Sequence, residues 1–390
     1  MKRSVLLSTV LLLAGFDAAL PAQNLPTFRT DPRPVFSIGE VDGDAPYLLS
    51  GVSNALRLAD GRIVLGNCGS AELRVYSATG KHIKTTGGRG VGPGEFQRLT
   101  RIFRAGGDTI GAYDAYPAAR VSLFTGDGIY ARGFPSRIDV IGRLADGTFV
   151  GRAYASLAGP REPGMIQRPA TLYRINPAGV VNDSLPKLPG YVNIREPGNP
   201  GIPRVLRLHR IPKSAVFPDR IVFGIQDEAV YSEYGPDLRL LRRNASVGKA
   251  ELVTDAIKRQ WIETSAVMMP AGGVLPVYSS QYATVMPAFG DMVAGGGGRL
   301  WLQDPYRPGS YPLLWTAYQN GKPVARVELP PRFFPTDHGS DWVLGVAYDD
   351  LNVERVQLFN LRLGSLSNRQ LPPRDAEPPS QPRCGAWTSR

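Results

Sequence analysis

Gly87-Gly88-Arg89-Gly90-Val91-Gly92-Pro93-Gly94-Glu95-Phe96 places five glycines and one proline in ten residues. Glycine loses too much entropy inside a helix or strand, and proline lacks the backbone donor, so this stretch is a tight connection. Upstream, Leu73–Tyr76 and Lys81–Thr86 flank a Ser-Ala-Thr-Gly80 turn and read as two strands; downstream another strand begins at Leu99. The stretch therefore links two strand units, and the chain repeats the unit.

Six times a Gly/Asp turn runs straight into a short apolar strand. The six are Asp60–Leu65, Gly107–Ala112, Asp146–Val150, Pro218–Phe223, Gly297–Leu302 and Ser340–Leu344. In five of them a following strand carries an apolar residue four places before a glycine turn: Tyr76/Gly80, Phe124/Gly128, Ile175/Gly179, Tyr231/Gly235 and Ala317/Gly321. A unit of four strands over roughly 40–45 residues is what one propeller blade requires. Such a sheet cannot bury both faces alone, and near-continuous apolar strands fit stacking on neighbours. The fold class predicted is all-β: a six-bladed β-propeller over residues 34–364. The sixth unit has no outermost strand of its own, and Pro34–Ile38 is expected to supply it, since an open edge invites aggregation.

Outside that body, Lys2-Arg3 and the apolar run after it read as a signal peptide over residues 1–22, with Ala22–Gln23 as the cut. The run is too short for a membrane span. Export to the periplasm or the extracellular space is expected, with no transmembrane segment. Residues 23–33 read as a linker and the Pro-rich residues 365–390 as a tail. Within the body, residues 186–213 read as a long loop over one face, and Thr254–Thr264 as the single short helix, with Thr254 as N-cap.

The net charge is +11, but no compact basic run occurs, and no nucleic-acid partner is expected. The only two cysteines, Cys68 and Cys384, are a candidate disulfide in an oxidising compartment. No Gly-x-Ser-x-Gly, His-Glu-x-x-His or Walker pattern is present. The glycines at 87–94 do not have dinucleotide-binding spacing and open no helix.

The Gly-x-Gly-x-Gly-Pro-Gly-Glu-Phe linker and the closing run Asp341–Phe359 resemble the NHL-type and TolB-like six-bladed propellers, especially exported bacterial ones without an assigned activity. The resemblance covers about residues 34–364. It implies fold rather than activity, since propellers host binding modules, lyases and lactonases alike.

Polar residues end the second strands: Asn67, Asp114, Asp227, Asp304 and Asp349, with Arg152 and Tyr154 in the third unit. On a propeller these ends surround one mouth of the channel, which makes Asn67, Asp114, Tyr154, Asp227, Asp304 and Asp349 the candidate ligand-binding set. A carboxylate ring there could hold Ca²⁺ through oxygen ligands; the simpler explanation is that Asp and Asn bond the backbone of their own turns. No cofactor is expected, Ca²⁺ being the one ion the pattern would admit. His82 falls on an outer strand, away from His209 and His338, so a three-histidine zinc site is not expected. Tyr113, Tyr116, Tyr154, Tyr306 and Tyr311 could line a groove, whereas Trp301, mid-strand, reads as core. The function expected is a monomeric, non-catalytic module binding a protein, peptide or glycan. The alternative is a Ca²⁺-dependent hydrolase or lyase of the lactonase type.

Overall fold

The computed structural model describes residues 25–115, 117–157, 162–209, 211–245, 251–267, 278–305 and 314–364. The expected signal peptide and Pro-rich tail lie outside them. Among the described residues the strands form five sheets, and no helix is long and apolar enough to cross a membrane.

Two sheets are four-stranded antiparallel meanders near the start of the chain. The first comprises Val52–Arg57, Ile63–Asn67, Glu72–Tyr76 and His82–Gly87; the second, Leu99–Arg104, Ile110–Asp114, Arg120–Phe124 and Tyr130–Pro135. Another four-stranded sheet runs through Lys213–Val216, Ile221–Ile225, Val230–Tyr234 and Leu240–Ala245. Between them stands a six-stranded sheet that begins with Asp139–Arg143, Phe149–Tyr154, Gly164–Ile175 and Val181–Glu196. Asn199–Arg207 and Tyr278–Tyr282 extend it. Much of the segment expected as a loop over residues 186–213 is thus strand. Its prolines fall in a sheet extension whose register is broken in several places, where a missing donor costs little.

The fifth sheet has nine strands. One antiparallel run is Met292–Ala294, Leu300–Gln303, Leu314–Gln319 and Lys322–Glu328; the other is Phe333–His338, Trp342–Tyr348 and Glu354–Gly364. Thr27–Thr30, inside the expected linker, joins them, parallel to Lys322–Glu328 and antiparallel to Glu354–Gly364. Phe36–Ile38 pairs antiparallel with the last strand, Phe36 opposite Leu358 and Ile38 opposite Val356.

The first strand of each antiparallel run touches its neighbours in turn. Val52–Arg57 meets Leu99–Arg104, which meets Asp139–Arg143; then come Lys213–Val216, Met292–Ala294 and Phe333–His338, which returns to Val52–Arg57. Apolar clusters lie between consecutive runs. Leu73, Val75 and Phe124 pack between the first two, and Ile63, Leu65, Leu344 and Val356 pack between the first and the last. Both faces of the second and third strands are therefore covered, and Ile63–Asn67 is buried at every position. The outer strand His82–Gly87 instead alternates half-buried and exposed residues, as a strand with one wet face must.

The 87–96 stretch crosses from an outer strand to the next first strand. Gly87, Gly88 and Gly94 have positive φ, and a Cβ on Gly87 would meet the Phe96 ring at 2.9 Å. Phe96 is fully buried against Phe124, their rings 5.9 Å apart. Helix α1 (Asp255–Val267) has the expected cap, Ile257 N–H donating to Thr254 Oγ1 at 3.3 Å. Trp261 lies 6.2 Å from Tyr282, so the helix packs on the added strands of the six-stranded sheet.

Candidate functional site

Four first strands share an irregularity. Register shifts leave Ser53, Thr100, Ile141 and Thr336 without an opposite partner. An extra residue increases local twist and re-aims the side chains around it. All four border one cavity of about 710 Å³, which the six first strands enclose.

The charge in this cavity is uneven. Arg98, Arg101, Arg104, Arg137, Arg152 and Lys213 line it, against three carboxylates, Asp139, Asp291 and Asp337. Asp139 stands opposite Arg152 in the strand register, and one of its oxygens faces two guanidinium groups, Arg101 at 3.3 Å and Arg152 at 3.5 Å. Arg152 also donates to Ser214 Oγ at 2.7 Å, tying neighbouring sheets together. Lys213 pairs with Asp291. Near the far ends of the first strands, Asp337 accepts from Arg104 at 2.5 Å and from the Arg57 N–H at 2.9 Å. Burial pushes the Asp337 carboxyl up, against the pull of Arg104.

Aromatic rings complete the wall. Tyr154 and Tyr191 meet with centroids 4.5 Å apart and planes inclined at 63°, and the Arg152 guanidinium lies 5.3 Å from the Tyr154 centroid. Tyr191 comes from the long Val181–Glu196 strand, so the irregular sheet reaches the cavity. Burial raises the Tyr154 hydroxyl pKa well above the usual phenol range. Tyr113 donates to the Ser136 carbonyl at 3.3 Å, and burial moves its pKa to about 12. Both phenols are neutral at physiological pH.

Of the candidate set read from the sequence, Tyr154 alone borders this cavity. Asn67 Oδ1 accepts the Ser50 N–H at 2.7 Å, and Asp114 accepts the Gln97 and Arg98 N–H groups at 3.0 and 2.5 Å. Each clasps the linker leading into its own sheet. In two later units the same task falls one residue before the expected aspartate: Gln226 accepts the Ile211 N–H and Gln303 accepts the Asp291 N–H, beside Asp227 and Asp304. Asp304 is held by Arg326 at 2.5 Å, and Asp349 accepts the Leu351 and Val353 N–H groups of its own turn. Among the described residues no group of three or more His, Cys, Asp or Glu side chains could hold a metal ion. His82, His209 and His338 have separate partners: Thr85, the Val192 N–H and the Trp301 ring.

Trp301 is buried core, stacked on His338 at 4.0 Å. Tyr113 borders the cavity, while Tyr116, Tyr306, Tyr311 and Cys384 lie outside the described residues. The residues missed from sequence are the cavity arginines other than Arg152, which the reading of the third unit had named beside Tyr154. Their signal was position: Arg98, Arg101 and Arg137 follow directly on a linker, where a first strand begins.

No family model matches the chain, and no curated protein matches it either. Solved structures do. A Bacteroides fragilis protein described as exported is 10% identical, with 87% of this chain and 99% of that chain covered and a TM-score of 0.49. A member of the duf4221 family from Bacteroides vulgatus is 10% identical, with 88% and 100% covered and a TM-score of 0.48. The calcium-binding protein regucalcin from Agrobacterium tumefaciens is 12% identical, with 86% and 96% covered and a TM-score of 0.41.

Proposed function

We propose that the chain is an exported six-bladed β-propeller that binds an anionic peptide or glycan in its central channel, without catalysis. On this reading the nine-stranded sheet is two blades bridged by Thr27–Thr30, and Phe36–Ile38 is the outer strand of the last blade. The circuit of first-strand contacts and the apolar clusters between consecutive runs support that count.

The observation that carries the binding reading is the excess of cations lining a concave space. Its volume is in the range of ligand pockets, and charge in a low-dielectric cleft attracts the opposite sign far more strongly than on an open surface. Asp114 is engaged with linker backbone and Arg120, Asp304 with Arg326, and Asp349 with its own turn and Arg355. Calorimetric titration of the secreted protein with acidic and neutral oligosaccharides and peptides, at low and high salt, tests the proposal. Saturable, salt-sensitive binding of acidic ligands that Arg137→Ala weakens is expected; equal binding of neutral counterparts would overturn it.

A further inference from the structure

We infer that Arg101, Arg137 and Arg152, with Tyr154 and Tyr191, form a subsite for a hexuronate ring of an acidic glycan. This rests on the channel-binding reading and adds a ligand class to it.

Two guanidinium groups converge on a single oxygen of Asp139, at 3.3 and 3.5 Å. Both separations exceed the roughly 2.7–2.9 Å of a strong charge-assisted bond. One carboxylate between two arginines leaves a positive charge over, and the Arg101 side chain is 38% exposed. Arg137, exposed two positions before Asp139 and lining the same cavity, makes no ion pair among the described residues. A planar carboxylate offers what these forks lack, two oxygens in a plane.

The neighbouring groups decide between acids. The inclined pair Tyr154 and Tyr191 forms a corner with two aromatic walls, suited to the apolar C–H face of a pyranose ring. Asp139, the carboxylate between these arginines, is an acceptor for sugar hydroxyls, which are donors. An acidic peptide side chain would bring a second carboxylate to Asp139 with no hydroxyl donor beside it, and like charges at close quarters repel. A uronate carries one charge per ring and spreads hydroxyls around it.

The test titrates the full secreted chain with oligogalacturonate, its carboxyl-reduced neutral counterpart and oligoglutamate. Oligogalacturonate is expected to bind saturably, and each of the other two about tenfold more weakly or worse, the scale of one lost charged hydrogen bond. Arg101→Lys and Arg152→Lys keep the charge but lose the fork, and each should weaken oligogalacturonate by about tenfold. Arg137→Ala, at an exposed position, gives the same reading if the variants at the partly buried Arg101 and Arg152 do not fold. Tyr154→Ala should weaken the sugar and leave oligoglutamate unchanged. Oligoglutamate binding as tightly as oligogalacturonate, or the neutral sugar doing so, overturns the uronate assignment. In the first case the broader anion-binding proposal survives; if no acid binds at all, both are lost.

Discussion

Asp114 shows how much one side chain can hold. It is 0% exposed, accepts two backbone N–H groups of the linker into its sheet and lies 3.4 Å from the Arg120 guanidinium. Arg120 in turn donates to the Val91 and Glu95 carbonyls, pinning the glycine-rich stretch from the other side. Asp114→Ala would leave two N–H groups unanswered and take from the half-buried Arg120 its only carboxylate partner among the described residues. We expect a loss of about 3 kcal/mol in urea unfolding, within the range for breaking a buried pair. His338 gives a pH test. Burial lowers its pKa to about 4, so the folded chain refuses a proton that the unfolded chain takes below about pH 6.5. Its contribution is therefore complete above that pH and is lost as the pH falls from there toward 4, by up to about 3 kcal/mol. His338→Phe, which can keep the Trp301 stack, should flatten that limb of the stability–pH curve relative to the parent.

At the scale of elements, the linkers matter as much as the strands. Phe96 closes the glycine-rich linker by burying its ring, and Gly87 leaves room for it. Phe96→Ala should cost about 3–5 kcal/mol, measured by urea denaturation, with little change in far-ultraviolet dichroism. This stretch was legible in the sequence because glycine and proline act through local backbone sterics. The helix was legible for a similar reason, its cap and apolar spacing being local. The 199–207 strand was hidden, since prolines and glycines there signal turns, and only its partners in the extended sheet make it a strand. The clasping residues were half-legible. Asn67 and Asp114 were visible as polar strand ends, but which of two adjacent polar residues turns toward the linker in Gln226-Asp227 and Gln303-Asp304 depends on the pleat. Apart from Arg152, the cavity arginines left only the trace of their position after a linker, because the extra residues in the first strands decide where they point, and pairing register cannot be read from composition.

For the molecule as a whole, the spacing of turns foretold repeated sheets, and the pairing of Phe36–Ile38 with Glu354–Gly364 follows from a strand missing at one end and spare at the other. Thr27–Thr30 gave no such signal: four residues with mixed exposure look like any tether. The two cysteines offer a check on a second long-range tie, which we propose joins Cys68 to Cys384. Alkylation of the unfolded, unreduced protein should label neither thiol, and label both after reduction.

The seam made by Phe36–Ile38 has a consequence for biosynthesis. Ser37 and its partner Gln357 stand 320 positions apart, so a ribosome releases one long before it makes the other. The nascent chain must carry that early strand unmatched through nearly the whole of translation, and capturing it is a late, slow event for entropic reasons. A permuted gene that moves residues 27–38 to follow residue 364 makes the encounter local. Stopped-flow refolding of the permutant should outpace that of the natural order.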